Sequence, residues 1–392
     1  MQAIIAYTEH MKSILTSPVL TLIHILDGQA RIVGGAVRDY LSGITPYDID
    51  LATPLLPDDI LRRLTQADIK TMTAGIKHGT VMAIIDKTPY EITTLRTDTK
   101  TDGRHAEVAF TDSYEQDAKR RDFTVNALYM DAQGTIYDYV GGQKDLKNNL
   151  VRFIGNADTR VQEDYLRILR YFRFWGKLGY GRKDTDAMHA CQKFAPCLTG
   201  ISKERKREEL LKILALKHCD KVMAFMDECH VLSEILPKTD IPALTAFLNV
   251  YPDADVWERL SVLTNGSSPD LGLSRVRKKD LADLALPITF SNDLVYERLR
   301  LYRIKERPFK HHIYQALSQN KLDKHLAKTL LDLKMPTFPL KGADFINAGF
   351  SSGPHIQKLL QSAELFWAQN GFSENKTLVL NQFLAYNKNI TK

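Results

Sequence analysis

The sequence predicts an α+β N-terminal domain followed by an all-α remainder. Two observations predict this division. Segments with the β-branched and apolar composition of short strands are confined to the first ~155 residues, and nearly every window from Asp158 onward has helical periodicity. Prolines that end or separate helical windows recur through the second part, at Pro196, Pro237, Pro252, Pro287 and Pro336.

Short strands are predicted in the N-terminal part at residues 81–86, 90–95 and 107–110. Residues 129–139 have the pattern of a hairpin that turns at 133–134, where Gln precedes Gly. The polar segment 96–107 lies between two of these strands and has almost no core-forming residue, so it is predicted to be a surface loop.

A glycine pair gives the first chemical signal. Residues 30–33 form a short apolar run, Gly34 and Gly35 interrupt it, and residues 36–41 have helical composition with Gly43 as the stop. Glycines at a helix N-terminus let an anion approach free backbone N–H groups, and Arg38 adds positive charge one turn later. Gly-Gly before a helix is also ordinary turn chemistry, so this signal alone leaves both interpretations open.

Two acids follow at once. Asp48 and Asp50 are separated by Ile49 in a predicted strand, so the two carboxylates point to the same face. Carboxylates at this spacing repel each other unless a cation lies between them, and Mg²⁺ is commonly held by one or two carboxylates together with substrate phosphates. An isolated Asp-x-Asp is typical of an exposed strand, whereas beside an anion-binding turn it favours a metal site.

These residues belong to a series of ordered blocks. They are GGAVRD, DID, TDGRHAEVAF (101–110), RRDFTVNALYMD (120–131), QEDYLRILRYFRF (162–174), ISKERKREELLKIL (201–214) and FPLKGADFINAGFSSGPHIQKLL (338–360). In this order the chain resembles the class II tRNA nucleotidyltransferases, or CCA-adding enzymes, of the tRNA nucleotidyltransferase/poly(A) polymerase family. The resemblance implies a polymerase β-like catalytic head (1–155), a helical neck for base recognition (156–220), a helical body (221–325) and a tRNA-anchoring tail (326–392).

The resemblance also implies roles for residues of the head. Glu91 would be a third catalytic carboxylate beside Asp48 and Asp50, and two Mg²⁺ ions would assist the in-line displacement. Triphosphate binding is expected at Gly34, Gly35 and Arg38, and ribose or phosphate contacts at Arg121, Asp122 and Asn126. From the residues alone, the block around Asp122 could equally be the start of an amphipathic helix that Asp122 caps.

The polar segment 96–107 is similar to the flexible loop of CCA-adding enzymes. That resemblance implies a role in changing the pocket from CTP to ATP. The residues expected to take part are Asp98, Asp102, Gly103, Arg104 and His105.

The helix predicted over VQEDYLRILRYFRF carries the most discriminating pattern. Asp164, Arg167 and Arg170 follow at i, i+3 and i+6, so the first two are expected to be neighbours on one face. The Asp of such a pair can accept from the amino group of cytosine or adenine while the Arg donates to the ring nitrogen, whereas uracil and guanine would set a carbonyl acceptor against the carboxylate. An ordinary surface ion pair has the same spacing, but Glu163, Asp164 and Arg167 match the EDxxR motif of the family.

Bulk properties agree with a nucleic-acid substrate. The 392 residues include 53 Lys and Arg against 47 Asp and Glu, a net charge of +6 that suits a polyanion.

Cysteines at positions 191, 197, 219 and 229 have no zinc-type spacing, so reduced thiols and a cytoplasmic location are expected. No apolar run has the length of a membrane span, and the pair His311-His312 is predicted to lie at the surface.

The sequence thus predicts an enzyme that adds C, C and A to the 3′ end of tRNA from CTP and ATP, without a nucleic-acid template and without DNA as a partner. A poly(A) polymerase shares the same head, acids and recognition helix and is the nearest alternative. A partial enzyme that adds only CC or only A is another, although the presence of TDGRHAEVAF speaks against a CC-only enzyme. The intact acids and glycines argue against an RNA-binding protein with an inactive head.

Overall fold

The computed structural model describes Met11 and residues 13–102, 105–286 and 288–386. The chain divides into two units, one of Met1–Pro237 with Asp270–Gly272 and the other of Lys238–Pro269 with Leu273–Lys392. An α+β head followed by helices is confirmed. The finer division into head, neck, body and tail stays a prediction.

A mixed sheet forms the head of the first unit. Its strands, among the described residues, are β1 (Arg31–Val33), β2 (Asp50–Thr53), β3 (Lys70–Met72), β4 (Thr80–Ile85), β5 (Thr88–Thr94), β8 (Leu128–Met130) and β9 (Ile136–Asp138). They lie in the order β3-β4-β5-β2-β1-β8-β9, and β2 and β5 pair in parallel, whereas the other neighbours are antiparallel. The predicted hairpin around residues 133–134 is confirmed as β8 and β9.

The register of this sheet brings the predicted acids to the glycine turn. Val33, the last residue of β1, lies opposite Asp50, the first residue of β2. In the parallel pair, Leu51 lies opposite Ile92, so the preceding residues Asp50 and Glu91 reach the same end of the sheet. Backbone hydrogen bonding therefore sets two of the acids, Asp50 and Glu91, beside the turn that follows β1.

Segment 96–107 does not form the predicted loop. It belongs to a separate hairpin of β6 (Arg96–Asp102) and β7 (His105–Phe110), which pair antiparallel from Arg96 opposite Phe110 to Asp102 opposite His105. Threonines occupy every second position of β6, at 97, 99 and 101, and this β-branched alternation favours a strand although the segment is polar.

Helices of the first unit follow or flank the sheet. They are α1 (Ser17–Ile25), α2 (Gly35–Leu41), α3 (Pro57–Gln66), α4 (Tyr114–Arg120), α5 (Gly142–Lys147), α6 (Ala157–Glu163), α7 (Leu166–Lys177), α8 (Thr185–Phe194), α9 (Lys203–Leu214) and α10 (Cys219–Glu228). Aromatic rings join α7 to the head, since Tyr171 of α7 stacks on Phe153 with ring centroids 5.9 Å apart, and Phe153 in turn packs on Phe123 at 4.8 Å.

The described part of the second unit is helical. Its helices are α11 (Ile241–Val250), α12 (Val256–Leu263), α13 (Arg275–Leu284), α14 (Leu294–Ile304), α15 (Glu306–Ser318), α16 (Lys324–Leu331), α17 (Gly342–Asn347), α18 (His355–Gln369) and α19 (Lys376–Tyr386). One apolar cluster surrounds Phe309 and Leu330, and another surrounds Trp367 and Phe383. Across the helices that the structure describes, none is long and apolar enough to span a membrane.

The cysteines are free thiols, as predicted, and Cys191, Cys219 and Cys229 are buried. The prediction of a surface histidine pair was wrong. His311 is 0% exposed and His312 is 3% exposed, because α15 turns both rings into the second unit, where His311 packs on Phe247 with ring centroids 5.1 Å apart. Burial, with His312 next to it, lowers the pKa of His311 to about 3.

The buried histidine makes stability depend on pH. The unfolded chain binds a proton near pH 6.5, whereas the folded chain keeps His311 neutral down to pH of about 3. The contribution is therefore fully present above pH 6.5 and is lost as the pH falls toward 3. Between pH 7.5 and 5.0, we expect His311 to account for a loss of ~1 to 2 kcal/mol in the free energy of unfolding.

Urea unfolding at the two pH values measures this loss. His311→Leu should reduce the difference between them, whereas His355→Leu, which changes an exposed histidine of the same unit, should not. Equal pH dependence in the wild type and His311→Leu would contradict the assignment.

Candidate active site

A cavity of about 580 Å³ opens in the first unit, at the end of the sheet where the acids and the glycine turn meet. Among the described residues that line it, eight are arginines and three are aspartates. The volume is typical of small-molecule sites, and the excess of guanidinium groups suits a multiply charged anion. The lining residues are Val33, Gly34, Gly35, Arg38, Asp50, His78, Arg96, Arg120, Arg121, Asp122, Asn126, Asp164, Leu166, Arg167, Arg170, Arg173, Phe174 and Arg205.

The glycine turn forms one wall, as the sequence predicted. Gly34 has φ of 71° and precedes the first residue of α2, a left-handed conformation that glycine adopts without strain. A Cβ atom at Gly34 would lie 3.4 Å from the carbonyl oxygen of Asn126 and 3.5 Å from Nη1 of Arg121. The turn, the 124–126 segment and Arg121 therefore surround one small space.

Arg38 lies behind this turn and is 3% exposed. Its Nε and Nη2 donate to Oδ1 of Asp39 at 2.9 and 2.7 Å, and its Nη1 donates to Oδ1 of Asn126 at 2.5 Å. A guanidinium has five N–H groups, so hydrogens on Nη1 and Nη2 are left to face the cavity after these three bonds. Its orientation is fixed before any ligand arrives.

Of the three predicted acids, Asp50 lines the cavity, whereas Asp48 and Glu91 are not among its lining residues and act on Asp50 through their charge. Asp50 begins β2 and Glu91 lies in β5, whereas Asp48 lies in a bend two residues before the strand, so the prediction that both aspartates share a strand was wrong for Asp48. Proline at 46 and the bend at 47–48 delay the start of β2.

The charges of these acids act on one another. Asp50 keeps contact with solvent in the open cavity, but burial by the surrounding protein, then the charges of Glu91 and Asp48, raise its pKa to about 6 against the opposing effect of Arg121. Mutual repulsion of this kind is relieved by a cation. In the part of the chain that the structure describes, no three His, Cys, Asp or Glu side chains form a ready metal cluster. The acids thus fit a metal that takes its remaining ligands from a substrate.

The block RRDFTVNAL supplies the opposite wall. It forms a 3₁₀ turn at Thr124–Asn126 and not the start of an α-helix, because Oδ1 of Asp122 accepts from the backbone N–H of Phe123 at 2.8 Å and from Nδ2 of Asn126 at 3.1 Å. Oδ2 of Asp122 accepts from Nε and Nη2 of Arg170 at 2.8 and 2.5 Å.

These bonds form one continuous chain across the cavity wall, from Arg38 through Asn126 and Asp122 to Arg170. Burial would raise the pKa of Asp122, but the charge of Arg170 and the hydrogen bonds of Asn126 and Phe123 outweigh it, so the pKa is lowered. The carboxylate is therefore ionised and ties α2 of the head to α7.

The EDxxR motif, predicted to recognise the base, does not lie on a single helix. Asp164 ends α6 with extended φ and ψ of −158° and 107°, and α7 begins only at Leu166. The expected i, i+3 helical pair of Asp164 and Arg167 was therefore wrong. The carboxylate of Asp164 accepts from the N–H of Leu166 at 3.1 Å and from Nη2 of Arg205 at 2.7 Å, bonds that compete with helix formation.

Asp164, Arg167 and Arg170 nevertheless line the same cavity. Glu163 accepts from Nη1 of Arg160 at 2.9 Å and also pairs with Nη1 of Arg167, so it holds Arg167 in place. Arg205 of α9 also reaches this cavity and pairs with Asp164.

Seven lining residues were not predicted from the sequence, namely Val33, His78, Arg96, Arg120, Leu166, Arg173 and Phe174. Three guanidinium groups surround the ring of Phe174, with Arg38, Arg170 and Arg173 at 4.9, 5.5 and 4.2 Å from its centroid. The spacing of three between Arg167, Arg170 and Arg173 was the available signal, because it puts successive arginines on adjacent parts of one helix face.

The predicted loop residues are only partly described. Asp98 and Asp102 belong to β6 and His105 belongs to β7. Gly103 and Arg104 lie outside the described residues.

Two family profiles match this chain. The profile described as "Poly A polymerase head domain" matches residues 30–152, and the one described as "Probable RNA and SrmB- binding site of polymerase A" matches residues 184–241.

The human protein "CCA tRNA nucleotidyltransferase 1, mitochondrial" is 34% identical over 95% of this chain and 89% of its own length. The chain belongs to the CCA tRNA nucleotidyltransferases. Its mouse counterpart of the same name is 35% identical over 95% of the chain and 89% of its own length. The CCA-adding enzyme of Geobacillus thermodenitrificans is 43% identical over 53% of the chain and 51% of that enzyme. Members of this family are nucleotidyltransferases, and so is this chain.

Solved structures of the family have the same fold. The Bacillus stearothermophilus CCA-adding enzyme in complex with CTP superposes with a TM-score of 0.68, at 24% identity, over 95% of this chain and 98% of that one. The Thermotoga maritima CCA-adding enzyme complexed with tRNA gives a TM-score of 0.61, at 20% identity, over 97% and 98%.

The link between Asp122 and Arg170 can be tested by unfolding. Asp122→Ala removes the acceptor of two charge-assisted bonds and leaves the partly buried Arg170 without it, so we expect a loss of ~1 to 3 kcal/mol in the free energy of unfolding. Chemical denaturation followed by circular dichroism measures it.

Glu115→Ala is the matched control. It removes an ion pair whose side chains are 54% and 60% exposed, and it should change stability by less than ~0.5 kcal/mol. An Asp122→Ala variant as stable as this control would contradict the structural role of the link.

Proposed function

We propose that this protein adds C, C and A to the 3′ end of tRNA from CTP and ATP, with release of pyrophosphate and without a nucleic-acid template. One observation carries the proposal. Asp50 and the glycine turn line the same cavity as Asp164 and Arg167, and the charges of Glu91 and Asp48 act on Asp50. That arrangement offers separate places for a triphosphate, for the reacting atoms and for a base, in a chain of this family.

The triphosphate is assigned to the glycine turn. Gly34 and Gly35 leave the backbone open to a phosphate, while Arg38 and Arg121 place guanidinium groups on either side of the turn. Arg38 is already oriented by Asp39 and Asn126, so little side-chain entropy is lost when phosphate binds. Asp122 and Asn126 are assigned to the ribose, because they line the cavity beside the turn.

The acids Asp48, Asp50 and Glu91 would hold divalent metal, which we assign as two Mg²⁺ ions. When bound, such ions lower the pKa of an attacking hydroxyl and neutralise charge on the leaving group. The protein residues align the RNA 3′-oxygen with the α-phosphorus. The hydroxyl gives up its proton to solvent, the new bond from its oxygen to the α-phosphorus forms as the bond from that phosphorus to pyrophosphate breaks, and Arg38 and Arg121 stabilise the negative charge of the departing group.

Base choice is assigned to Asp164 and Arg167. A carboxylate has about four lone-pair sites, and Leu166 and Arg205 use two, so Asp164 can still accept from the amino group of cytosine or adenine. Arg167 uses Nη1 for Glu163 and the carbonyl oxygen of Arg160, and its guanidinium has three further N–H groups for the ring nitrogen. Uracil and guanine would place a carbonyl against the carboxylate, a mismatch that costs ~1 to 3 kcal/mol.

Support for tRNA as the acceptor comes from the named relatives, from the profile of an RNA-binding region at 184–241 and from the basic net charge. The human and mouse relatives are named as mitochondrial, so the cytoplasmic location stays a prediction.

The function is tested by offering a tRNA transcript that ends at the discriminator base, with Mg²⁺ and with CTP alone, ATP alone or both. Two additions from CTP and a third only when ATP is present are expected. A long ladder from ATP alone would make the protein a poly(A) polymerase, and additions confined to CC or to A would make it a partial enzyme.

Loss of one acid should abolish transfer of both nucleotides. Asp48→Ala removes a carboxylate from the cluster that would hold the metal, so we expect at least a ~1000-fold lower rate for CMP and AMP addition alike. The control is Asp58→Ala, an exposed acid on α3. Near-normal turnover by Asp48→Ala would exclude the metal assignment.

Loss of the base acceptor should relax selectivity. Asp164→Ala removes the group that opposes uracil and guanine, so the preference for CTP over UTP should fall by ~10-fold or more while transfer persists. Single-nucleotide incorporation with each triphosphate measures this preference, and Asp186→Ala, an exposed acid outside the cavity, serves as control. Unchanged discrimination against UTP and GTP would refute the role of Asp164.

A further inference from the structure

Asp117 is a buried carboxylate that binds three of the arginines lining the cavity. It lies in α4 and is 1% exposed. Its Oδ1 accepts from Nε of Arg120 at 2.8 Å and from the backbone N–H of Arg96 at 3.3 Å. Its Oδ2 accepts from Nε and Nη2 of Arg121 at 3.2 and 3.0 Å and from the hydroxyl of Tyr129 at 2.7 Å.

The arginines that Asp117 binds all line the catalytic cavity. Arg121 presents its Nε and Nη2 edge to Asp117, which leaves Nη1 on the side of Gly34, 3.5 Å from where a Cβ atom of that residue would lie. A planar guanidinium held along one edge by a carboxylate has a fixed orientation. The direction of Nη1 toward the glycine turn therefore depends on Asp117.

The carboxylate remains charged while it does this. Burial would raise the pKa of Asp117, but Arg121, Arg120 and the hydroxyl of Tyr129 hold it at about 2. Tyr129 of β8 donates to the same Oδ2 that Arg121 binds, and its hydroxyl also accepts from Nε of Arg121 at 3.3 Å, so β8 holds both members of the pair.

We propose that Asp117 is a positioning residue for nucleotide binding, which holds Arg121 with its free edge directed at the phosphates beside Gly34. This rests on the proposed function, because it takes the triphosphate to lie at the glycine turn. The same carboxylate accepts from the backbone N–H of Arg96, the first residue of β6, so Asp117 binds both Arg121 and the start of the β6–β7 hairpin.

The decisive probes are CTP and inorganic tripolyphosphate, titrated calorimetrically into the full chain with Mg²⁺. Asp117→Asn keeps the shape and removes the charge, and Asp117→Glu keeps the charge and displaces it by one methylene. Both should weaken binding of CTP and of tripolyphosphate at least fivefold and by similar factors, because the phosphates are common to both ligands. In turnover, KM for CTP and ATP should rise while KM for tRNA stays within twofold.

Asp344→Asn is the matched control. Asp344 is also a buried carboxylate with a cationic partner, Lys376 at 2.6 Å, but it belongs to the second unit and not to the lining of this cavity. It should leave the affinity for tripolyphosphate within twofold. An equal loss in Asp344→Asn would show that Asp117 acts through general stability and would overturn the proposal.

Folding is checked by circular dichroism in every variant, and Asp117→Glu decides the question if Asp117→Asn does not fold. Unchanged affinity for both phosphate ligands in a folded variant would overturn the role of Asp117. A wild-type protein that binds tripolyphosphate but adds no nucleotide to tRNA would contradict the proposed function alone, since the binding assay needs no turnover.

Discussion

The ion pair of Asp122 and Arg170 is the interaction on which the cavity depends most. Asp122 belongs to the sheet domain and Arg170 to α7, and two bonds of 2.8 and 2.5 Å join them. Through Asn126 the same carboxylate reaches Arg38 behind the glycine turn. The wall assigned to the triphosphate and the wall assigned to the base are therefore set relative to each other by one buried charge within the first unit.

Acidic side chains form ion pairs with several arginines of the cavity and hold them in place. Asp39 holds Arg38, Asp117 holds Arg120 and Arg121, and Glu209 holds Arg173 at 2.6 Å. Each pairing offsets part of the cost of desolvating a guanidinium and fixes its direction, while the remaining N–H groups face the cavity. Such a site is organised before substrate binds, which is how electrostatic stabilisation of a reacting phosphate is most effective.

Local patterns in the sequence were enough to predict the glycine turn, the strand that carries Glu91 and the all-α second part, because these depend on short-range periodicity. The break at Asp164 was not predictable in this way. It results from side-chain bonds to Leu166 and to Arg205, and Arg205 lies 41 residues away. Burial of His311 likewise depends on which face of α15 meets Phe247.

Sequence patterns predicted which residues line the site better than they predicted the ion-pair and hydrogen-bond partners of those residues. Asp50, Arg38, Asp122, Asp164 and Arg170 all line the cavity, as expected from the motifs. Their partners were not apparent, because Asp117 and Asp39 occur in ordinary helical segments. The i, i+3 and i, i+4 spacing from Asp117 to Arg120 and Arg121 was visible, but it is equally typical of a surface ion pair. Only the three-dimensional structure distinguishes the two.

Selection of the base by protein side chains alone is tested most directly by calorimetric binding of the four nucleoside triphosphates without RNA. With Mg²⁺ present, we expect CTP and ATP to bind at least tenfold more tightly than UTP and GTP, a difference of ~1.4 kcal/mol. Equal affinity for all four would contradict recognition by Asp164 and Arg167, and would place base selection in the complex with RNA.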